Sequence, residues 1–170
     1  MVKPKLIKVR LVNDGADAET PWAHDIGPAP GPKGSRRVRL VNVPFMHAKP
    51  TWGDVIAVAP VDGVLTWDRK GIAWEQIGTR IVEDGGRWAM IIDHDARAFD
   101  ALVAACNAHD IVCEGARAGR AYLAVPAQLT DVSVMTTLRA AKLPGALVQT
   151  HPKPVAPKKA RKRLPRKKAR

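Results

Sequence analysis

Ten Lys and Arg side chains fall within the last twenty residues: Lys153, Lys158, Lys159, Arg161, Lys162, Arg163, Arg166, Lys167, Lys168 and Arg170. No Asp or Glu interrupts them. Side chains of this type, at this density, neutralise phosphates and release the counterions condensed on a polyanion, a sequence-independent attraction. The chain carries 28 basic and 16 acidic side chains in all, so removing these ten leaves residues 1–150 nearly neutral, at 18 against 16. Like charges repel, prolines at 152, 154, 157 and 165 interrupt helix, and almost nothing apolar is available for burial. Residues 151–170 are therefore predicted to form a disordered basic tail.

A second set of cations lies in the body. Lys8, Arg10, Arg37 and Arg39 occupy polar positions of two alternating runs. If those runs pair as strands, the four stand on one outward face and could track a phosphate backbone. A merely solvated sheet face would look the same in sequence. All five tryptophans, Trp22, Trp52, Trp67, Trp74 and Trp88, lie in the first 88 residues. Aromatics among cations can stack unpaired bases, but Trp is also the largest filler of a small β core. Most are expected to be core, with Trp22 and Trp52, in loop contexts, exposed.

Other constellations point to no reaction. Cys106, His109 and Cys113 have ligand-type side chains, but structural zinc wants four ligands, usually in two pairs, and no second pair is visible. Asp93-His94-Asp95 could supply a general base, although neighbours in sequence point in different directions; a helix cap explains Asp95 more simply. Neither a nucleophile motif, a phosphate-cradling loop nor a dinucleotide glycine pattern occurs. The expectation is a non-enzyme without metal or cofactor.

The elements that would hold these residues can be read from periodicity. Ile7, Val9 and Leu11 alternate with Lys8 and Arg10, predicting a half-buried strand. The following stretch, including Gly27 to Gly34, reads as loop because it is rich in Pro and Gly. A strand is predicted over 37–43, a hairpin over 54–68 about Asp62-Gly63, and a further strand over 72–77. Then the period changes. An extended run over 87–93 precedes a helix carrying Phe99, Leu102, Val103 and Cys106; strands over 111–114 and 120–125 precede a second helix carrying Val134, Met135, Leu138 and Ala141. A last strand is placed at 146–150. The predicted class is thus α+β: a small antiparallel sheet or open barrel over 1–79, a ferredoxin-like βαββαβ domain over 80–150, and the tail. Tyr122 and Trp88 are too few aromatics for the RNA-binding version of that domain, and residues 80–150 carry 7 basic and 8 acidic side chains.

Three stretches resemble bacterial domain-of-unknown-function family 4265: Glu19-Thr-Pro-Trp22-Ala, Arg39-Leu-Val-Asn42-Val43-Pro44-Phe45 and Trp52-Gly53-Asp54-Val55. The resemblance is local, over Trp22 to Pro60, with Asn42, Pro44, Phe45, Gly53 and Asp54 at the matching positions. It implies a shared fold and carries no activity.

No apolar run approaches the ~20 residues of a membrane span, and the N-terminus mixes charged with apolar residues where a secretion signal would be apolar throughout. Two cysteines are far too few for a disulfide scaffold. A cytoplasmic location without membrane association is expected. The functional expectation is a non-enzymatic protein that binds DNA or RNA non-specifically through its tail. The alternative is a protein-protein interaction module, regulatory or immunity-type, whose folded body meets a protein partner and whose tail is incidental.

Overall fold

The computed structural model describes residues 4–12, 18–45, 49–68, 81–116 and 119–150. The predicted strand at 72–77 and the whole of the basic tail lie outside these residues.

The first sheet is organised by one short run. Ile7, Val9 and Leu11 point inward as their spacing predicts, but the run is broken at Val9, whose N–H donates to Pro21 O at 3.1 Å. The break makes two strands, β1 (Lys5–Lys8) and β2 (Arg10–Val12). They are followed by β3 (Ala18–Glu19), β4 (Trp22–Pro28), β5 (Arg36–Leu40), β6 (Val55–Val61), β7 (Val64–Asp68) and β8 (Ile81–Glu83). β1 pairs antiparallel with β4, whereas β2 pairs parallel with β7. One run of chain therefore serves both ends of the order β1-β4-β5-β6-β7-β2, and the sheet curls into a half-barrel, with β3 beyond β2 and β8 beside β6. Val9, Leu11, Ala23, Val38, Leu40, Ile56, Val58 and Trp67 fill its interior. The β6–β7 hairpin turns on Asp62 and Gly63, both at positive φ (51° and 77°), the geometry that matches the twist of a two-residue hairpin.

The second sheet contains β9 (Arg87–Asp93), β10 (Val112–Ala116), β11 (Arg120–Pro126) and β12 (Val148–Thr150), in the order β10-β11-β9-β12 and antiparallel throughout. A 3-10 turn, Ala96–Ala98, is capped by the Asp95 side chain and leads into α1 (Phe99–Asn107); α2 spans Asp131–Ala140. At α2, Thr130 Oγ1 accepts from Ser133 N–H while Ser133 Oγ accepts from Thr130 N–H, a reciprocal cap. Met90, Ile92, Ala121, Leu123 and Val125 meet Leu102, Cys106, Val134 and Leu138 in a second core. Alternation turns Ile91 and Tyr122 to the other face of this sheet.

The predicted class is corrected. Strand occupies 46% of the structure against two short helices, so the protein is mainly β, a curled half-barrel plus a four-stranded sheet, and not of the α+β class that the sequence predicts. Two readings caused the difference. Residues 22–28 were expected to be loop because of Gly27 and Pro28, yet they form β4, which carries these residues only at its end, past a register shift between Asp25 and Gly27. The parallel β2–β7 pairing joins residues more than fifty apart, which periodicity cannot reveal.

Candidate nucleic-acid interface

The predicted stripe is partly assembled. β1 and β5 do not pair with each other; β4 lies between them. Val38 and Leu40 are buried, so Arg37 and Arg39 project from the other side of β5, and Lys8 projects likewise from β1 opposite Trp22. The row Leu6, His24, Arg39 crosses this outer face. Arg10 leaves the group: β2 carries it to β7, where its Nε donates to Thr66 Oγ1 at 3.2 Å. Arg39 is engaged by Glu83 at 3.0 Å and by Gly53 O at 3.2 Å. Lys8 and Arg37 have no ion-pair partner among the described residues. Lys8 Nζ stands 5.0 Å from the centroid of the Trp22 ring, a cation–π distance, and Arg37 Nε is buried with no hydrogen-bond partner among the described residues. The ten tail cations, Lys153 to Arg170, lie outside the described residues.

Beside this face, a segment that periodicity marked only as the end of a strand joins the two sheets. Asn42 Oδ1 accepts from Trp22 N–H at 2.8 Å, and its Nδ2 donates to Glu114 Oε2 on β10 at 3.1 Å. Pro44 turns the chain, and Phe45 stacks on Tyr122 of β11 with ring centroids 4.3 Å apart and planes at 28°. Phe45 N–H donates to Glu19 Oε2 at 2.6 Å. Burial pushes the Glu114 carboxyl above its ordinary range, against opposing hydrogen bonds from Asn42 and Val43 N–H. Trp22 and Phe45 remain 41% and 51% exposed. Between them lies an open cleft of about 290 Å³, floored by Pro21 and Val43 and edged by Glu19, Thr20 and Asn42. Beyond Phe45 a second, shallower groove runs past Phe99, Cys113 and Glu114. The stretches Glu19-Thr-Pro-Trp22 and Asn42-Val-Pro-Phe45, quoted for the resemblance, are the sequence signals that meet in this joint.

The Trp-Gly-Asp-Val stretch has a structural explanation. Asp54 is fully buried and accepts from Lys49 Nζ at 3.1 Å, Thr51 N–H at 2.7 Å and Gly85 N–H at 2.7 Å. A Cβ on Gly85 would stand 2.6 Å from Gly53 C, so only glycine lets these two loops touch. Trp52 is half-buried beneath the Arg87 guanidinium, 4.9 Å from its ring centroid, rather than exposed; Trp67 is core, and Trp88 Nε1 donates to Leu129 O.

The acid–histidine cluster comes apart. Asp93 binds Arg120 at 2.6 Å. The Asp95 carboxylate turns to Arg97, whose side chain and N–H hold its pKa down at about 2. His94 is buried against Phe99 with Nδ1 2.8 Å from Asp95 O. The hydrogen bonds of both carboxylates go to arginines, Arg120 and Arg97, and not to the imidazole. Cys106 lies in the second core and Cys113 on its margin, and no group of three or more His, Cys, Asp or Glu is placed to hold a metal among the described residues. Nor is any helix among them long and apolar enough to cross a membrane.

No family model matches the chain, and no curated protein matches it. Among solved structures it is similar to the crystal structure of a hypothetical protein from Neisseria gonorrhoeae, with 12% identity, a TM-score of 0.51, and coverage of 88% of this chain and 94% of that one. At that identity the likeness concerns the fold alone.

Proposed function

We propose that this protein binds DNA or RNA without catalysis and without sequence preference, residues 151–170 supplying most of the affinity. The observation that carries this reading is the charge distribution: ten cations and no acid in twenty residues, attached to a body with 18 basic and 16 acidic side chains. Lys8 and Arg37 extend the same sign onto the half-barrel, whereas Arg10 and Arg39, with partners of their own, add less. The motif resembling family 4265 falls within this reading as architecture: Asn42, Pro44 and Phe45 form the joint, and Gly53 with Asp54 forms the buried clamp.

One observation favours the alternative. Leu6, Trp22 and Phe45 are large apolar side chains left between 41% and 51% exposed, which also suits a protein partner. Purification at low ionic strength separates the two readings. Nucleic acid should travel with the protein, giving a high 260 nm to 280 nm absorbance ratio that a high-salt wash returns to that of protein. A protein-like ratio from the outset would favour the protein partner.

A further inference from the structure

Resting on that reading, we propose that the cleft between Trp22 and Phe45 is a stacking site for an unpaired base, so that the body selects single-stranded nucleic acid while the tail binds any polyanion. Two aromatic rings at the mouth of one cleft, both heavily exposed, cost solvation that a merely structural joint would avoid. The cleft, at about 290 Å³, is at the lower end of the range for small-molecule sites and suits one flat ring. Its edge offers the Thr20 hydroxyl, a group that can accept from an exocyclic amine. Lys8 Nζ, 5.0 Å from the Trp22 centroid, supplies a cation beside one of the two rings, where it can pair with the phosphate of a stacked nucleotide.

The attachment point of the tail supports this occupant. Thr150, the last described residue, lies opposite Ile91 in the β12–β9 ladder. Ile91 lines the same crevice as Val43, Pro44, Phe45 and Tyr122. The cationic segment is thus rooted beside the aromatic cleft, and a strand captured by the tail is held at high effective concentration near it. A duplex offers no free base face and gains nothing from the rings.

The test uses the full chain and fluorescently labelled 12-nucleotide single-stranded DNA, single-stranded RNA and duplex DNA, titrated at fixed low salt. Trp22→Ala and Phe45→Ala should each weaken binding of both single strands by fivefold to a hundredfold, the range for losing one stacked base, and leave the duplex within twofold. Trp22→Phe should keep most of the single-strand affinity. Converting Lys158, Lys159, Arg161, Lys162 and Arg163 to Gln should weaken all three ligands. Unchanged single-strand binding in both alanine variants, or equal losses on strand and duplex, would overturn the stacking site. If the five-Gln variant binds as tightly as the parent protein, the tail reading fails instead.

Discussion

Asn42 and Glu114, 72 residues apart in sequence, meet at 3.1 Å across the line where the half-barrel abuts the four-stranded sheet. The amide uses its oxygen on Trp22 N–H and its nitrogen on the carboxylate, so a single side chain ties the aromatic cleft to the second sheet.

A pH effect follows from the carboxylate. Burial raises the Glu114 pKa above the ordinary 4.5, so folding binds a proton there, and its penalty, full at neutral pH, fades as pH falls through the raised value. Glu114→Gln keeps an acceptor for Asn42 and abolishes that titration. Urea midpoints measured between pH 7 and about 4.5 should rise less on acidification in the variant than in the parent protein. Asp95 has the opposite sign: held near 2 by Arg97, it contributes stability present above about pH 4 and lost as pH falls through about 2.

Asp54→Ala should be among the most damaging single changes. It removes a fully buried acceptor shared by Lys49, Thr51 N–H and Gly85 N–H, although Lys49 keeps its second partner Asp84 at 2.8 Å. Leaving a buried donor unpaired costs about 1–3 kcal/mol, and Thr51 N–H and Gly85 N–H both lose their acceptor, so chemical denaturation should show a loss of about 2 kcal/mol or more. A loss below 1 kcal/mol would mean that the loops at 49–54 and 83–86 hold together without the carboxylate.

Trp67→Ala should cost about 3–5 kcal/mol by emptying an aromatic-sized site in the half-barrel core. Trp22→Ala, at an exposed ring, should cost far less. Thermal melts of the two variants check the ordering, and equal destabilisation would contradict the assignment of Trp22 to the surface.

Local signals in the sequence survive into the structure where the cause is local. Asp62-Gly63 makes its hairpin because both residues accept positive φ, and Asp95 caps the turn that leads into α1. What could not be read was long-range. Nothing in residues 22–28 separates a strand with a bulge from a Pro- and Gly-bearing loop until β1 and β5 flank it. The break at Val9, which makes one run serve both ends of the curled sheet, depends on the parallel partner β7. The site shows the same divide. Lys8, Arg37 and Arg39 share a face as their alternation requires, but the loss of Arg10 to Thr66 and of Arg39 to Glu83 is decided by tertiary neighbours. Phe45 was visible as part of a motif; its stacking on Tyr122 was not.

The most direct test of polyanion binding through residues 151–170 is the slope of log affinity against log salt. If each of the ten cations neutralises one phosphate, the slope is bounded at about −9 on duplex DNA and about −7 on a single strand. Converting Lys158, Lys159, Arg161, Lys162 and Arg163 to Gln removes half of those charges and should reduce the measured slope by up to about half, whereas Arg10→Gln and Arg39→Gln should change it little. A slope unchanged by the five tail substitutions, at undiminished affinity, would contradict the account and put binding on the folded body.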